Sequence, residues 1–508
     1  MNEIARLIAA RAQRSPDTPY LLAARAPQGG GKPAVVTFGE LAARVAAAGE
    51  AFWRADLLPG ARVGLRGSDP LAVAVAWLAL VASGRVASPA APDLRGERFE
   101  RWQAAVAPAA LLEPGGPAGD RLTPLGGAPQ QPVEPAGVLL TSSGTTGPPK
   151  LVALSTDQLL HTAGNVVAAH GLTRQDRAFN PLPLHHVNAE VVGLLAALVA
   201  GSSVVLDDRF HRTGFWLTVD RSGATWLNAV PAILAVLAAT DPEHPVPARL
   251  RFARSASAPL PPAVRRAFEE RTGLPVVETY GMTEAGSQIA AGTLGAAVPG
   301  SVGRPVGVEL RVVADDGTPA AVDAPGRVQI RGAGVITRYA GGPAAAGQEM
   351  LTADGWLETG DVGRVAADGS LFLLGRRDDV INRGGEKIFP AEVEDVLLGT
   401  GVLRQAVVVG LPDPVLGRVP VAVVVPRDPC ALADDGARQA LVATLEAAAE
   451  QALERVRRPV RFYVLAAVPG ASDAAPGAPG GPGAGGLGKV SRRRVAEALQ
   501  QPTVPVGS

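Results

Sequence analysis

With 508 residues the chain is too long for one ordinary hydrophobic core, so its length predicts two or more domains. Forty-eight basic residues balance 48 acidic ones, leaving no net field to attract nucleic acid or an anionic membrane. The single cysteine, Cys430, excludes an intramolecular disulfide framework, and the totals together favour a cytoplasmic protein acting on a small molecule.

The opening stretch "MNEIARLIAARAQRSP" has helical spacing and scattered charges rather than the continuous apolar centre of a signal sequence. Helix-then-strand pairs follow: "VTFGELAARVAAAGEAFWRAD" before "RVGLRG", and "DPLAVAVAWLALVASG" before "VASPAA". The apolar run in the second pair, 71–84, falls short of the roughly 20 residues needed to cross a bilayer. "ATWLNAV", "VPAILAVLAAT", "RLRFARSAS" and "PPAVRRAFEERTG" continue the alternation, which predicts an α/β architecture with largely parallel sheets. From 301 to 376 turn-punctuated strands such as "VELRVVADDGTPA" and "GSLFLLGR" predict a smaller β-rich subdomain. After residue 377 the order helix, strand, strand, helix, strand predicts a small α+β domain over 378–508, behind a large N-terminal domain over 1–377. The Pro/Gly/Ala tract 469–488 falls in its last connection.

Chemistry concentrates in a few segments. "LLTSSGTTGPPK" (139–150) sets Thr141, Ser142, Ser143, Gly144, Thr145, Thr146 and Gly147 in a loop closed by Lys150. Hydroxyls and backbone N–H groups of such a loop can cradle phosphate oxygens, and the spacing to the lysine differs from the Walker pattern. Only four lysines occur, Lys32, Lys150, Lys387 and Lys489, and three of them lie in glycine-rich segments. In a chain that otherwise uses arginine, those positions suit a compact ammonium facing phosphate or carboxylate oxygens.

The loop resembles the phosphate loop of the adenylate-forming superfamily, which includes acyl-CoA synthetases, luciferases and peptide-synthetase adenylation domains. "PLHHVNAE" (183–190), "ETYGMTEA" (278–285), "TGD" (359–361) and "GRRDDVINRGGEKIFPAEVE" (375–394) follow in that family's order, so the resemblance covers nearly the whole chain. It implies that Tyr280 stacks on adenine, that Thr283 meets the α-phosphate, that Glu284 helps hold Mg2+, and that Asp361 receives the ribose hydroxyls with Arg376 beside it. Ser257, Ala258, Pro259, Glu278, Thr279 and Gly281 would complete the nucleotide side. His186, Asn188, Asn228, Val230, Ser255, Gly281 and Met282 would line the acyl side, whose neutrality argues against a strongly charged acyl group. Asp378 would be a hinge about which the small domain turns, carrying Gly384 and Gly385 into the channel for the pantetheine arm of CoA.

The implied activity is that of an acyl-CoA ligase. A carboxylic acid and ATP give acyl-AMP and pyrophosphate, then CoA displaces AMP, with Lys489 bridging the acyl carboxylate and the α-phosphate. Two features depart from the family. The approach to Lys489, from Pro469 onward, is long and nearly devoid of side chains, and Leu151 replaces the glycine that usually follows the loop lysine. Lengthening a tether from about 6 to about 20 residues costs only roughly 1 kcal/mol of closure entropy. Both departures fall on adenylation, so an enzyme that mainly thioesterifies acyl-AMP supplied by a separate adenylating enzyme stays open. So do a ligase that loads a carrier protein and a non-catalytic acyl-adenylate binder.

Overall fold

The structure, a computed structural model, describes residues 2–26, 31–116, 119–125, 137–142, 150–341, 347–469 and 491–500. Several of its helices begin where side chains supply caps. The Thr37 side chain accepts from the Glu40 N–H while the Glu40 carboxylate accepts from the Thr37 N–H, which starts the helix Phe38–Arg54. Ser155 and Gln158 do the same for Thr156–His170. Asp69 accepts from Leu71 and Ala72, with Pro70 in the first turn, to start Pro70–Ala82. That helix is the apolar run of 71–84; it is apolar on every side because protein surrounds it, and Trp77 through Ala82 are all buried. Among the described residues no helix is long and apolar enough to cross a membrane.

The described strands form four sheets. In the largest, Val276–Tyr280, Phe252–Ser255, Trp226–Ala229, Arg177–Asn180, Ser203–Leu206 and Pro19–Ala23 lie side by side and parallel. A second sheet sets Ala110–Gly116, Arg62–Leu65, Val86–Pro89 and Gly137–Ser142 parallel, with Lys150–Ser155 antiparallel at one edge. Both sheets contribute to one continuous apolar core, from Ile4 to Leu371. The β-rich stretch 301–376 forms an antiparallel sheet of Glu309–Val313, Gly326–Arg331, Leu357–Val365 and Leu371–Arg376.

From Ile381 onward the chain builds its own sheet, in which Gly417–Pro426 pairs with Leu403–Asp413 and Phe462–Val464. The helices Pro390–Gly399 and Asp435–Ala452 cover one face and Arg492–Leu499 the other, each over a core separate from that of the large body. One element escaped the sequence reading. Asn188–Leu195 is a π-helical stretch running into the helix Ala196–Ala200, a geometry frequent at functional sites because its wider turn re-aims side chains.

Candidate active site

In open α/β sheets ligands bind beyond the carboxyl ends of the parallel strands. Several residues singled out from the sequence lie at those ends here: Asn228 in Trp226–Ala229, Ser255 closing Phe252–Ser255, and Glu278, Thr279 and Tyr280 closing Val276–Tyr280. Val230 follows the first of these strands and leads into the helix Pro231–Ala238. Gly281 and Met282 follow the last, half-buried, and Thr283 opens a short helical turn over Thr283–Ala285. Only glycine fits at 281, because a Cβ there would stand 2.1 Å from the Ser287 carbonyl oxygen.

Tyr280 meets a residue 81 positions along the chain, Asp361, which Arg376 also holds. The Tyr280 hydroxyl donates to Asp361 Oδ2 at 2.5 Å, and Arg376 Nη1 donates to Asp361 Oδ1 and to the Thr359 carbonyl, each at 3.0 Å. The Asp361 N–H donates to Thr359 Oγ1, whose own proton goes to the Val328 carbonyl. Burial, then the Asp361 carboxylate, pushes the Tyr280 hydroxyl well above its usual range, so it stays protonated and donating. Desolvation lowers the Arg376 guanidinium, but the charge and hydrogen bond of Asp361, with Tyr280 and Asp378, together hold it above its ordinary value. Gly360, at φ +75°, permits this geometry, since a Cβ there would lie 2.7 Å from Arg376 Nη2.

A second cluster surrounds Glu284. This buried carboxylate accepts from the Tyr339 hydroxyl at 3.1 Å, and Lys150 Nζ stands 5.5 Å from the centre of the Tyr339 ring. Strand register sets Ser142 opposite Lys150 and Thr141 opposite Leu151, so both arms of the phosphate-loop hairpin are described. Ser143, Gly144, Thr145, Thr146 and Gly147 lie outside the described residues, as does Lys489. Leu151 packs with the apolar cluster of Val86, Trp102, Val106 and Leu139. Its side chain is thus taken up in packing beneath the hairpin.

The acyl-side residues form a buried polar network. Asn228 Nδ2 donates to Asn180 Oδ1 at 2.9 Å and to Asn188 Oδ1 at 3.2 Å, and Asn188 Nδ2 donates to Ser257 Oγ at 3.2 Å. Ser257, Ala258 and Pro259 are exposed, with Ser257 in the left-handed region at φ 73°, so the network opens to solvent there. The neutrality expected of this wall does not hold. Arg254, fully buried, donates from Nη1 to Asn188 Oδ1 and Asn228 Oδ1, and burial pushes its pKa down to about 9. The residues of this strand assigned to the wall from the sequence begin at Ser255, one position past the cation.

His185 and His186 stand with ring centres 4.3 Å apart, and His186 is exposed. Burial, then His186, pushes His185 down to about 3, and desolvation lowers His186, so both stay neutral near pH 7. Glu278 is held by Arg265 at 2.9 Å, while burial raises its pKa. Asp378 is exposed in the turn Arg377–Asp379. Gly384 and Gly385, at φ 61° and 96°, make the two-residue turn of the hairpin Ile381–Arg383 to Glu386–Ile388, where both positions require left-handed backbone. Lys387 crosses to the β-rich sheet region and meets Asp315 at 2.6 Å. Arg492, three residues after Lys489, bridges Asp379 at 3.0 Å and Glu394 at 2.8 Å and so ties the final helix beside the expected hinge. The sequence assigns no role to Tyr339, Asn180 or Arg254 and takes Thr359 only as the first residue of "TGD"; "RYAG" and the arginine of "FARSAS" were the available signals.

An aromatic hydroxyl and an arginine holding one aspartate, a buried glutamate beside the phosphate hairpin, and a separate small domain make this an adenylate-forming enzyme in fold and layout. Residues 8–340 match the AMP-binding enzyme family, and 392–472 match its C-terminal domain. The chain is 38% identical over 500 residues to the sulfoacetate–CoA ligase of Cupriavidus necator, covering 92% of this chain and 94% of that one. It is 41% identical over 301 residues to the oxalate–CoA ligase of Arabidopsis thaliana, covering 57% of this chain and 58% of that protein. Among solved structures it resembles the o-succinylbenzoate CoA synthetase of Bacillus subtilis in complex with its acyl-adenylate intermediate. The TM-score is 0.76 at 26% identity, over 91% of this chain and 95% of that one. The same enzyme is also known with ATP and a magnesium ion. The chain belongs to the AMP-binding enzyme family, in its acyl-CoA ligase branch.

Proposed function

We propose that the chain joins a small carboxylic acid to CoA through an acyl-adenylate, releasing pyrophosphate and then AMP. The observation that carries this reading is the Tyr280–Asp361–Arg376 constellation, in a chain similar over nearly its full length to a CoA ligase. A carboxylate held by a tyrosine hydroxyl and an arginine is a two-point acceptor fixed in place before a ribose diol arrives, while the Tyr280 ring offers a face to the purine. Adenylation creates no new acid or base, so these residues act by positioning and charge neutralisation.

A magnesium ion fits Glu284, a hard oxygen donor whose partner here is the neutral Tyr339 hydroxyl rather than a competing cation. When bound it would neutralise phosphate charge. Thr283 and Lys150 would touch phosphate oxygens. His186, kept uncharged near pH 7 by desolvation, would line the passage to the reacting carboxylate. In the second step the small domain, 378–508, turns about Asp378 and presents the Gly384–Gly385 hairpin to the pantetheine arm. The Lys387–Asp315 bridge is then one of the contacts that hold or release it.

The test is ATP- and CoA-dependent formation of AMP and thioester with a panel of short acids, including sulfoacetate and oxalate, after which two relatives are named. Absence of AMP and thioester with every acid would refute the ligase reading. An enzyme that only thioesterifies acyl-AMP from a separate adenylating enzyme is the second reading. Leu151 supports it less than the sequence suggested, because its side chain is occupied in packing. Pyrophosphate exchange that is robust in the native chain and lost in Lys489→Ala would eliminate that second reading.

A further inference from the structure

We propose that Arg254 selects the substrate, and that the acid carries a second anionic group, a carboxylate or a sulfonate, which the buried, unpaired edge of the Arg254 guanidinium receives. This rests on the ligase reading above and names the class of acid for the same site. Arg254 is wholly buried, and the structure pairs it with no carboxylate among the described residues. Its two hydrogen bonds both leave from Nη1, to Asn188 Oδ1 and Asn228 Oδ1, each at 3.2 Å. Nε and Nη2 have no partner among the described residues. These two nitrogens form one side of the planar guanidinium, and their N–H bonds run parallel. That is the edge that grips a carboxylate or sulfonate with two bonds at once.

A purely structural role accounts poorly for this arrangement. An interior cation without a counter-charge costs several kcal/mol even after relaxation, and buried donors are nearly always paired. To brace Asn188 and Asn228 the fold needs only the one nitrogen already used, and a neutral donor would serve. The position also suits substrate. Arg254 pairs with Val277 in the strand register, three residues before Tyr280 and so roughly 10 Å along the sheet from it. The network reaches the exposed Ser257 through Asn188. The acid would set its activated carboxylate toward the nucleotide and its second anion toward Nε and Nη2.

The experiment compares kcat/KM for thioester formation by the full-length chain with matched acids: malonate, succinate and sulfoacetate against acetate, propanoate and butyrate. The native chain is expected to favour the acids with a second anion by on the order of 100-fold, the worth of a doubly hydrogen-bonded charge pair. In Arg254→Met that ratio falls toward unity, chiefly through KM, and Arg254→Lys restores part of it. The malonate and sulfoacetate arms decide between carboxylate and sulfonate. Equal losses for both series, or a native chain that uses acetate as well as malonate, would overturn the proposal and leave Arg254 a structural brace for Asn188 and Asn228. Should Arg254→Met fail to fold, calorimetric binding of sulfoacetate and of acetate to the native chain with AMP carries the test. Selective binding of the dianion supports the proposal, and equal or absent binding of the two overturns it. Because binding needs no turnover, it also separates this proposal from failure of the ligase reading, in which no acid yields thioester.

Discussion

Asp361→Asn perturbs the nucleotide site with almost no change of shape. Both native carboxylate oxygens are engaged, Oδ2 by the Tyr280 hydroxyl at 2.5 Å and Oδ1 by Arg376 at 3.0 Å. Asparagine removes the charge and turns one acceptor into a donor. With the amide oxygen toward Arg376, its N–H2 faces a tyrosine hydroxyl that must rotate to accept; with the amide flipped, it faces the arginine. The Tyr280 bond is buried and charge-assisted, a class worth about 1.5–3 kcal/mol. The Arg376 side chain is 52% exposed, so its pair adds less than about 1 kcal/mol. A ribose diol loses one of its two acceptors, a term of the same size as the tyrosine bond. The KM for ATP should therefore rise on the order of 10- to 100-fold, with a much smaller change at saturating ATP. ATP–pyrophosphate exchange across ATP concentrations reads this directly, alongside circular dichroism to check folding. An unchanged KM in a folded variant would refute the assignment of Asp361 to the nucleotide.

Three further outcomes are expected. Glu190 is wholly buried, its oxygens have no partner among the described residues, and burial pushes its pKa up to about 8. The folded chain thus holds this proton more tightly than the unfolded chain, so stability is full below about pH 4.5 and is lost as pH rises toward 8. Glu190→Gln should gain a few kcal/mol over the native chain at pH 8.5 and much less at pH 5 by urea unfolding; equal differences at the two pH values would contradict the burial argument. Gly360→Ala forces left-handed backbone on a residue with a side chain, costing about 1–2 kcal/mol, and drives its methyl into Arg376; a lower Tm with a raised KM for ATP is expected, and a neutral result would disprove the steric reading. Arg492→Ala removes the bridges to Asp379 and Glu394, so amides of the helix Arg492–Leu499 should exchange faster while those of 1–377 do not. Unchanged exchange would show that Val495 and Leu499 hold the helix unaided.

The alternation of helices and strands was legible because hydrophobic period and caps act over a few residues. Thr37 with Glu40 and Asp69 with Pro70 fall where helices start. The motifs were legible for the same reason, each being one loop or strand end whose chemistry is contiguous in the chain. Partnership between distant segments was not. Nothing local to "TGD" says that Tyr280 reaches Asp361, that Tyr339 reaches Glu284, or that Leu151 leaves the phosphate hairpin for an apolar cluster. Arg254 shows the limit most plainly. The sequence by itself determined that an arginine precedes "SASAPL", and a lone arginine reads as surface charge. Only the tertiary structure decided that the sheet buries it, spends one nitrogen on two asparagines and leaves its gripping edge unpaired, because burial and pairing depend on which strands the fold sets side by side.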